Sequence, residues 1–170
     1  MQSYDLAHRL RESGLVLAGG FHSPMEREWL QVLLKGPAPV ILCPARHLAK
    51  ARLPLELRRP LEEGRLLLLS PFPRSDHRAT LDTALFRNRF VAALAGLVFT
   101  AYAEPGGKTE QLCREVLARG KPLCTFESDA NANLLALGAT PMGLRGSSAG
   151  EGMAVSRFGA EADGGVGSAP

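Results

Sequence analysis

One stretch in the middle of the chain, residues 86–107, restricts the fold more than any other. Its pattern predicts the end of a helix, an apolar strand and a glycine-rich turn that opens a second helix. The strand, Leu97 to Tyr102, is rich in β-forming residues and uncharged, as is typical of a central strand in a parallel sheet covered on both faces. Ligands of such sheets bind beyond the carboxyl ends of the strands. We therefore expect residues 104–109 to lie where a functional site would form.

The same alternation of short apolar runs with amphipathic segments covers most of the chain. Strands are predicted at residues 15–18, 40–43, 65–69, 97–102 and 122–126, with helices before, between and after them. This order predicts an α/β fold with a doubly wound, mainly parallel sheet of about five strands. Residues 1–142 form one predicted domain. The Gly-, Ser- and Ala-rich residues 143–170 are predicted to be a disordered tail.

The cysteines and the hydropathy pattern indicate the compartment. Cys43, Cys113 and Cys124 lie far apart and lack the spacing of a metal site, which favours buried thiols in a reducing environment. No apolar run is long enough to cross a membrane, and the start carries no signal-peptide pattern. We expect a cytoplasmic protein with no membrane partner, no metal and no cofactor.

The charge of the chain is uneven along its length. Residues 1–103 hold 14 Lys and Arg against 9 Asp and Glu, whereas residues 104–170 hold 6 against 8. An anionic partner is therefore expected to meet the first part. The basic segment 45–59, which contains Arg46, follows the predicted end of the second strand. It is either a solvated surface or a strip that faces phosphates.

A glycine turn follows the first predicted strand. Gly19 and Gly20 end that strand and lead to His22 and Ser23, and residues 23–26 have the pattern of a helix N-cap with a capping box. A glycine turn at a helix N-terminus can bind an anion. It can equally serve as an ordinary connection between a strand and a helix.

The helix predicted at residues 80–95 carries three polar candidates in a row. Asn88 falls on the predicted apolar face, where its amide would need hydrogen-bond partners, and Arg87 and Arg89 lie on either side of it. The turn after the next strand offers close backbone approach, free helix amides and charge. Its candidate ligand-binding residues are Glu104, Gly106, Gly107, Lys108 and Thr109.

These segments together resemble the Rossmann-like core of the DNA-processing protein DprA (Smf) family. The shared features are the Arg-Asn-Arg helix, a strand that ends in an acidic residue, a small-residue helix start and a helix–Gly–basic return at residues 117–123. The resemblance covers residues 6–141. It implies a homodimer that binds single-stranded DNA and assists recombination or DNA uptake. The positions that match the family's DNA site are Gly19, Gly20, Arg87, Asn88, Arg89 and Lys108.

The chain also departs from this family. Members begin the domain with another strand that ends in a Gly-Ser-Arg-type loop, so the first family strand is missing from this sequence. The wider superfamily includes the nucleotide-hydrolysing LOG proteins, whose Pro-Gly-Gly-x-Gly-Thr-x-x-Glu motif is matched only at residues 105–107, with Cys113 in place of the glutamate. Two alternatives therefore stay open. One is a LOG-like phosphoribohydrolase or nucleotide sensor that uses Glu104 or Glu110, and the other is an inactive interaction scaffold.

Overall fold

The computed structural model describes residues 2–49 and 53–142, and helices alternate with strands throughout this part. The elements in chain order are α1 (Gln2–Arg11), β1 (Leu17–Gly19), α2 (Pro24–Leu33), β2 (Val40–Leu42), α3 (Leu55–Glu62), β3 (Leu66–Leu68), α4 (Leu81–Leu94), β4 (Val98–Thr100), α5 (Lys108–Ala118), β5 (Leu123–Phe126), a 3₁₀ turn (Asp129–Asn131), α6 (Ala132–Ala136) and β6 (Thr140–Met142). The predicted α/β, Rossmann-like class is confirmed. The predicted tail, residues 143–170, lies outside the described residues.

The strands pair in parallel, but they form two sheets rather than one. β1, β2 and β3 pair in that order, and β4, β5 and β6 form the second set. Within the described residues, no strand pairing joins the two sheets. The sequence predicted five of these strands. The sixth contains Pro141, which lacks a backbone donor and is tolerated at a sheet edge, where β6 lies.

Two hydrophobic clusters form the core of the described residues, and the first of them also takes in Phe126 of the second sheet. Leu17, Val40 and Leu66 from the first sheet pack with side chains of α1, α2 and α3, and burial of one such leucine contributes about 2 kcal/mol. The second cluster is built around Leu123 and Leu134. Strands of three or four residues are held by these contacts as well as by their ladders.

An aromatic contact joins the two halves. Trp29 of α2 stacks on Phe99 of β4 with ring centroids 5.7 Å apart. Within the second sheet, Phe99 meets Phe126 of β5 edge-on at 5.0 Å. β4 was predicted to be fully buried, but Val98, Phe99 and Thr100 are each half-buried. The reason is that β4 lies at an edge of its sheet.

The helix starts follow the local signals of the sequence. Ser23 and Glu26 form the expected capping box at the start of α2, with Pro24 in the first turn. The described part of the chain has no helix of the length and apolarity needed to cross a membrane. Cys43, Cys113 and Cys124 are buried free thiols, as predicted.

Candidate nucleic-acid interface

Arg87 is the buried polar residue of α4, with only 6% of its surface exposed. Its Nη1 donates to the carbonyl oxygen of Cys43 at 3.0 Å, just past the end of β2, and its Nε donates to Oδ1 of Asn88 at 2.8 Å. The guanidinium also lies against Gly20, so closely that a Cβ atom added there would overlap it. Arg87 thereby joins α4 to the ends of β1 and β2.

This arrangement corrects the prediction for α4. The helical periodicity favoured Asn88 as the buried polar residue, but Asn88 is half-buried and Arg87 is buried. The cause is tertiary: the carbonyl of Cys43 needs a donor, and Arg87 supplies it from α4. Burial lowers the pKa of Arg87, and the carboxylate of Glu26 opposes that change. Burial also raises the pKa of Cys43 to about 11, so this thiol is neutral.

Arg89 points in another direction and is 45% exposed. Its Nε and Nη2 donate to the two carboxylate oxygens of Glu115 on α5, each at 2.8 Å. This bidentate pair joins α4 to α5 and lowers the pKa of Glu115. Sequence reasoning missed Glu115, because the partners lie 26 positions apart and nothing local connects them.

A cavity of about 170 Å³ lies between α4 and the start of α5. Four of its lining residues are among the predicted candidates: Asn88, Arg89, Lys108 and Thr109. The N-cap of α5 is Gly107, which has no side chain to accept from the amides of the first turn. The cavity thus combines two cationic side chains with a helix N-terminus, a combination that favours an anion.

The turn that leads into α5 is fixed by a buried carboxylate. Glu110 is 4% exposed, and it accepts hydrogen bonds from the backbone amide of Gly106 at 3.1 Å, from Nδ2 of Asn133 at 2.7 Å and from the guanidinium of Arg114. Gly106 has φ +74°, a left-handed conformation that favours glycine. The bonds from Asn133, Arg114 and Gly106 hold the pKa of Glu110 below its usual value.

The lowered pKa of Glu110 predicts a specific loss of stability in acid. A carboxylate whose pKa is lower in the folded than in the unfolded state stabilises the folded protein. Its contribution is complete at a pH above the unfolded-state pKa, and it is lost as the pH falls through the folded-state pKa. Glu110→Gln should therefore lower the melting temperature at neutral pH by several degrees and lose less further stability by about pH 3 than the unsubstituted protein. Thermal unfolding followed by circular dichroism at the two pH values measures this. Glu28→Gln, at an exposed site on α2, is the matched control; equal acid sensitivity in all three proteins would contradict the role of Glu110.

The other carboxylate of this turn is exposed. Glu104 accepts a hydrogen bond from the hydroxyl of Tyr102 at 2.8 Å, which raises the pKa of that phenol. The backbone of Gly107 lies close to that of Glu104, since a Cβ atom added at Gly107 would be 2.9 Å from the carbonyl oxygen of Glu104. Cys113, which replaces the glutamate of the LOG motif, is buried beside Thr100, and burial raises its thiol pKa.

The remaining predicted residues serve local structure around the same strand ends. The amides of His22 and Ser23 donate to Oε2 of Glu26 at 3.1 and 2.8 Å, in the cap of α2. Gly19 ends β1, and Phe21 after it has φ +47°. The side chain of Arg46 is exposed, and its carbonyl oxygen accepts from Oγ of Ser70.

The side-chain amides of Asn131 and Asn133 bind strand ends. The Asn131 amide donates to the carbonyl oxygens of Ala101 at 3.0 Å and Phe126 at 3.2 Å, and Asn133 donates to that of Ala103 at 3.1 Å. These bonds supply donors to carbonyls that leave the ladders of β4 and β5.

No family model and no curated protein matches the chain. Solved structures of other proteins share its fold. DNA processing protein A (DprA) from Streptococcus pneumoniae superposes with a TM-score of 0.64 at 16% identity, over 83% of this chain and 53% of that one. The chain has the DprA fold.

A second DprA structure leads to the same conclusion. It comes from Helicobacter pylori, from work on the single-stranded DNA binding mode of that protein, and it superposes with a TM-score of 0.61 at 21% identity. The overlap covers 82% of this chain and 68% of that one. The present chain thus spans about half the length of the S. pneumoniae DprA, and the resemblance seen in the sequence is confirmed for the fold.

Proposed function

We propose that this chain binds single-stranded DNA at the carboxyl ends of its strands, with phosphates in the cavity between α4 and α5. The observation that carries the proposal is the meeting of Arg89 and Lys108 with the N-terminus of α5, where Gly107 leaves the first-turn amides open to an anion. Lys108 provides a mobile charge, and Arg89, whose Nε and Nη2 already donate to Glu115, provides its remaining guanidinium nitrogen, Nη1.

The size of the cavity favours a DNA backbone over a small nucleotide. Pockets for whole small molecules measure about 300 to 1,000 Å³, whereas this cavity measures about 170 Å³. It can take a phosphate group, but a complete nucleotide would stand mostly outside it. Binding through phosphates alone reads no sequence, so affinity should depend on salt rather than on base order.

The fold supports the same proposal. The DprA of H. pylori, which shares this fold, is a protein with a single-stranded DNA binding mode. By analogy, the present chain would act in the cytoplasm, as a homodimer, in recombination or in the uptake of DNA. These roles rest on the likeness of folds, and the geometry of the cavity bears only on DNA binding.

A salt titration tests the proposal. Fluorescence anisotropy of a labelled dT oligonucleotide should show binding at low salt that weakens as salt rises, with a log–log slope of roughly −1.4 if Arg89 and Lys108 each neutralise one phosphate. An excess of thymidine monophosphate should leave the complex intact. Displacement by the mononucleotide would instead support the nucleotide-sensor alternative. No binding at low salt would overturn the proposal in favour of an interaction scaffold.

A further inference from the structure

Phe86 is an exposed aromatic side chain that packs against a buried one. It lies on α4 with 53% of its surface exposed, and its ring meets that of Phe72 at a centroid distance of 5.6 Å and an angle of 59°. Phe72 itself is buried, with 8% exposed. An aromatic ring that rests on a buried ring keeps a fixed orientation and offers its outer side to solvent.

The support under Phe86 is tied to the strand ends by hydrogen bonds. The amide of Phe72 donates to Oγ of Ser70 at 3.3 Å, and that hydroxyl donates to the carbonyl oxygen of Arg46 at 2.8 Å. The next residue on α4, Arg87, is bonded to Cys43. The segments that follow β2 and β3 therefore position Phe86 at the carboxyl ends of these strands.

The loops that position Phe72 beneath the ring are polar and basic. The loops that follow β2 and β3 are joined by a bond from the amide of His47 to the carbonyl oxygen of Asp76 at 2.8 Å. They carry the exposed residues Arg46, Arg74 and Arg78. Exposed arginines on the loops that support an exposed ring suit a partner that alternates flat apolar groups with negative charges.

The exposed ring is not part of an apolar stripe. One turn before it on α4 stands Asp82, and Arg89 stands three positions after it. Leu81, the other strongly exposed apolar residue of α4, lies five positions away and so faces another side of the helix. A single ring of this kind offers too little apolar area for a protein partner, but it matches the face of one base.

We infer that Phe86 is a stacking platform for one nucleobase of a bound single strand, between phosphates near Arg46 and phosphates in the cavity lined by Arg89 and Lys108. This inference rests on the proposed function and adds to it a base contact that tolerates any sequence. Phe72, the aromatic residue of the loop after β3, serves as the support beneath this ring.

The test compares two probes of equal length, a dT oligonucleotide and an abasic oligonucleotide with the same backbone. The unsubstituted protein should bind the dT probe about tenfold more tightly, since stacking on an aromatic side chain is worth roughly 1–3 kcal/mol per base. Phe86→Leu keeps an apolar contact with Phe72 but lacks an aromatic face. It should bind both probes equally, at the affinity that the unsubstituted protein has for the abasic probe.

A spectroscopic variant gives an independent result. Trp29 is the only tryptophan of the chain and packs between the two halves. In Phe86→Trp, addition of the dT probe should quench fluorescence that the unsubstituted protein does not lose, and the abasic probe should not. If Phe86→Leu still prefers the dT probe, the stacking role is wrong and the proposed function stands. If the unsubstituted protein binds neither probe, both are wrong.

Discussion

Gly20→Ala is expected to lower the free energy of unfolding by about 2 kcal/mol, the usual cost of forcing a methyl group into a packed site. Backbone strain is not the reason, because Gly20 does not have a left-handed φ. The added methyl would occupy the position of the Arg87 guanidinium. The guanidinium must then move and lose its hydrogen bond to Cys43. Urea denaturation followed by circular dichroism measures the loss.

A double-mutant cycle separates this cause from any other. Arg87→Ala alone should cost about 1.5–3 kcal/mol, because a buried hydrogen bond from a charged donor is lost. Adding Gly20→Ala to Arg87→Ala should then cost only a few tenths of a kcal/mol, since the space is already empty. If the free-energy costs of the two substitutions instead add in full, the guanidinium of Arg87 is not what prevents a larger residue at position 20. Arg87 substitutions thus report on the fold, and the DNA site needs other probes.

A pair of substitutions at the cavity should move DNA affinity in opposite directions. Lys108→Glu should weaken binding of a dT oligonucleotide about tenfold. It should also make the log–log dependence of affinity on salt less steep, by about the contribution of one phosphate contact. Glu115→Gln should strengthen binding several-fold, because it removes the carboxylate that now neutralises Arg89. Anisotropy titrations at one fixed low salt concentration measure both effects.

The control changes the same charge elsewhere. Arg9 is exposed in the last turn of α1, and Arg11 of that turn bonds to Ala38, just before β2, so this site lies near the amino ends of the strands. Arg9→Glu alters net charge as much as Lys108→Glu does, but it should change affinity little. If Arg9→Glu weakens binding as strongly as Lys108→Glu, only overall charge attracts the DNA, and the cavity has no special role.

Local signals made the helix starts and most strands predictable. Ser23, Pro24 and Glu26 satisfy one another within a few residues, so their pattern alone sufficed. β6 was not predicted, because three residues that include a proline carry almost no strand signal. The division into two sheets was not predicted either. The spacing of apolar residues shows that a strand exists but does not show which strand it pairs with.

The sequence offered the residues that meet in the cavity as candidates, but it did not show how they are arranged. Asn88, Arg89, Lys108 and Thr109 do meet in one cavity, since strands in parallel bring their carboxyl ends to one side. The burial of Arg87 and the pairing of Arg89 with Glu115 depend on contacts between distant segments. Such contacts leave no trace in local sequence patterns.

Within the described residues the ladders of β1–β2–β3 and β4–β5–β6 are separate, so side-chain packing rather than strand hydrogen bonding joins the two sheets. Phe126 of β5 lies in the hydrophobic cluster of the first sheet, and Trp29 of α2 stacks on Phe99 of β4. Arg46 follows a strand of the first sheet, and Lys108 opens the helix that leads into the middle strand of the second. A ligand long enough to touch both would add a link between the sheets that the backbone does not supply, so its binding would stiffen the protein as well as fill the site.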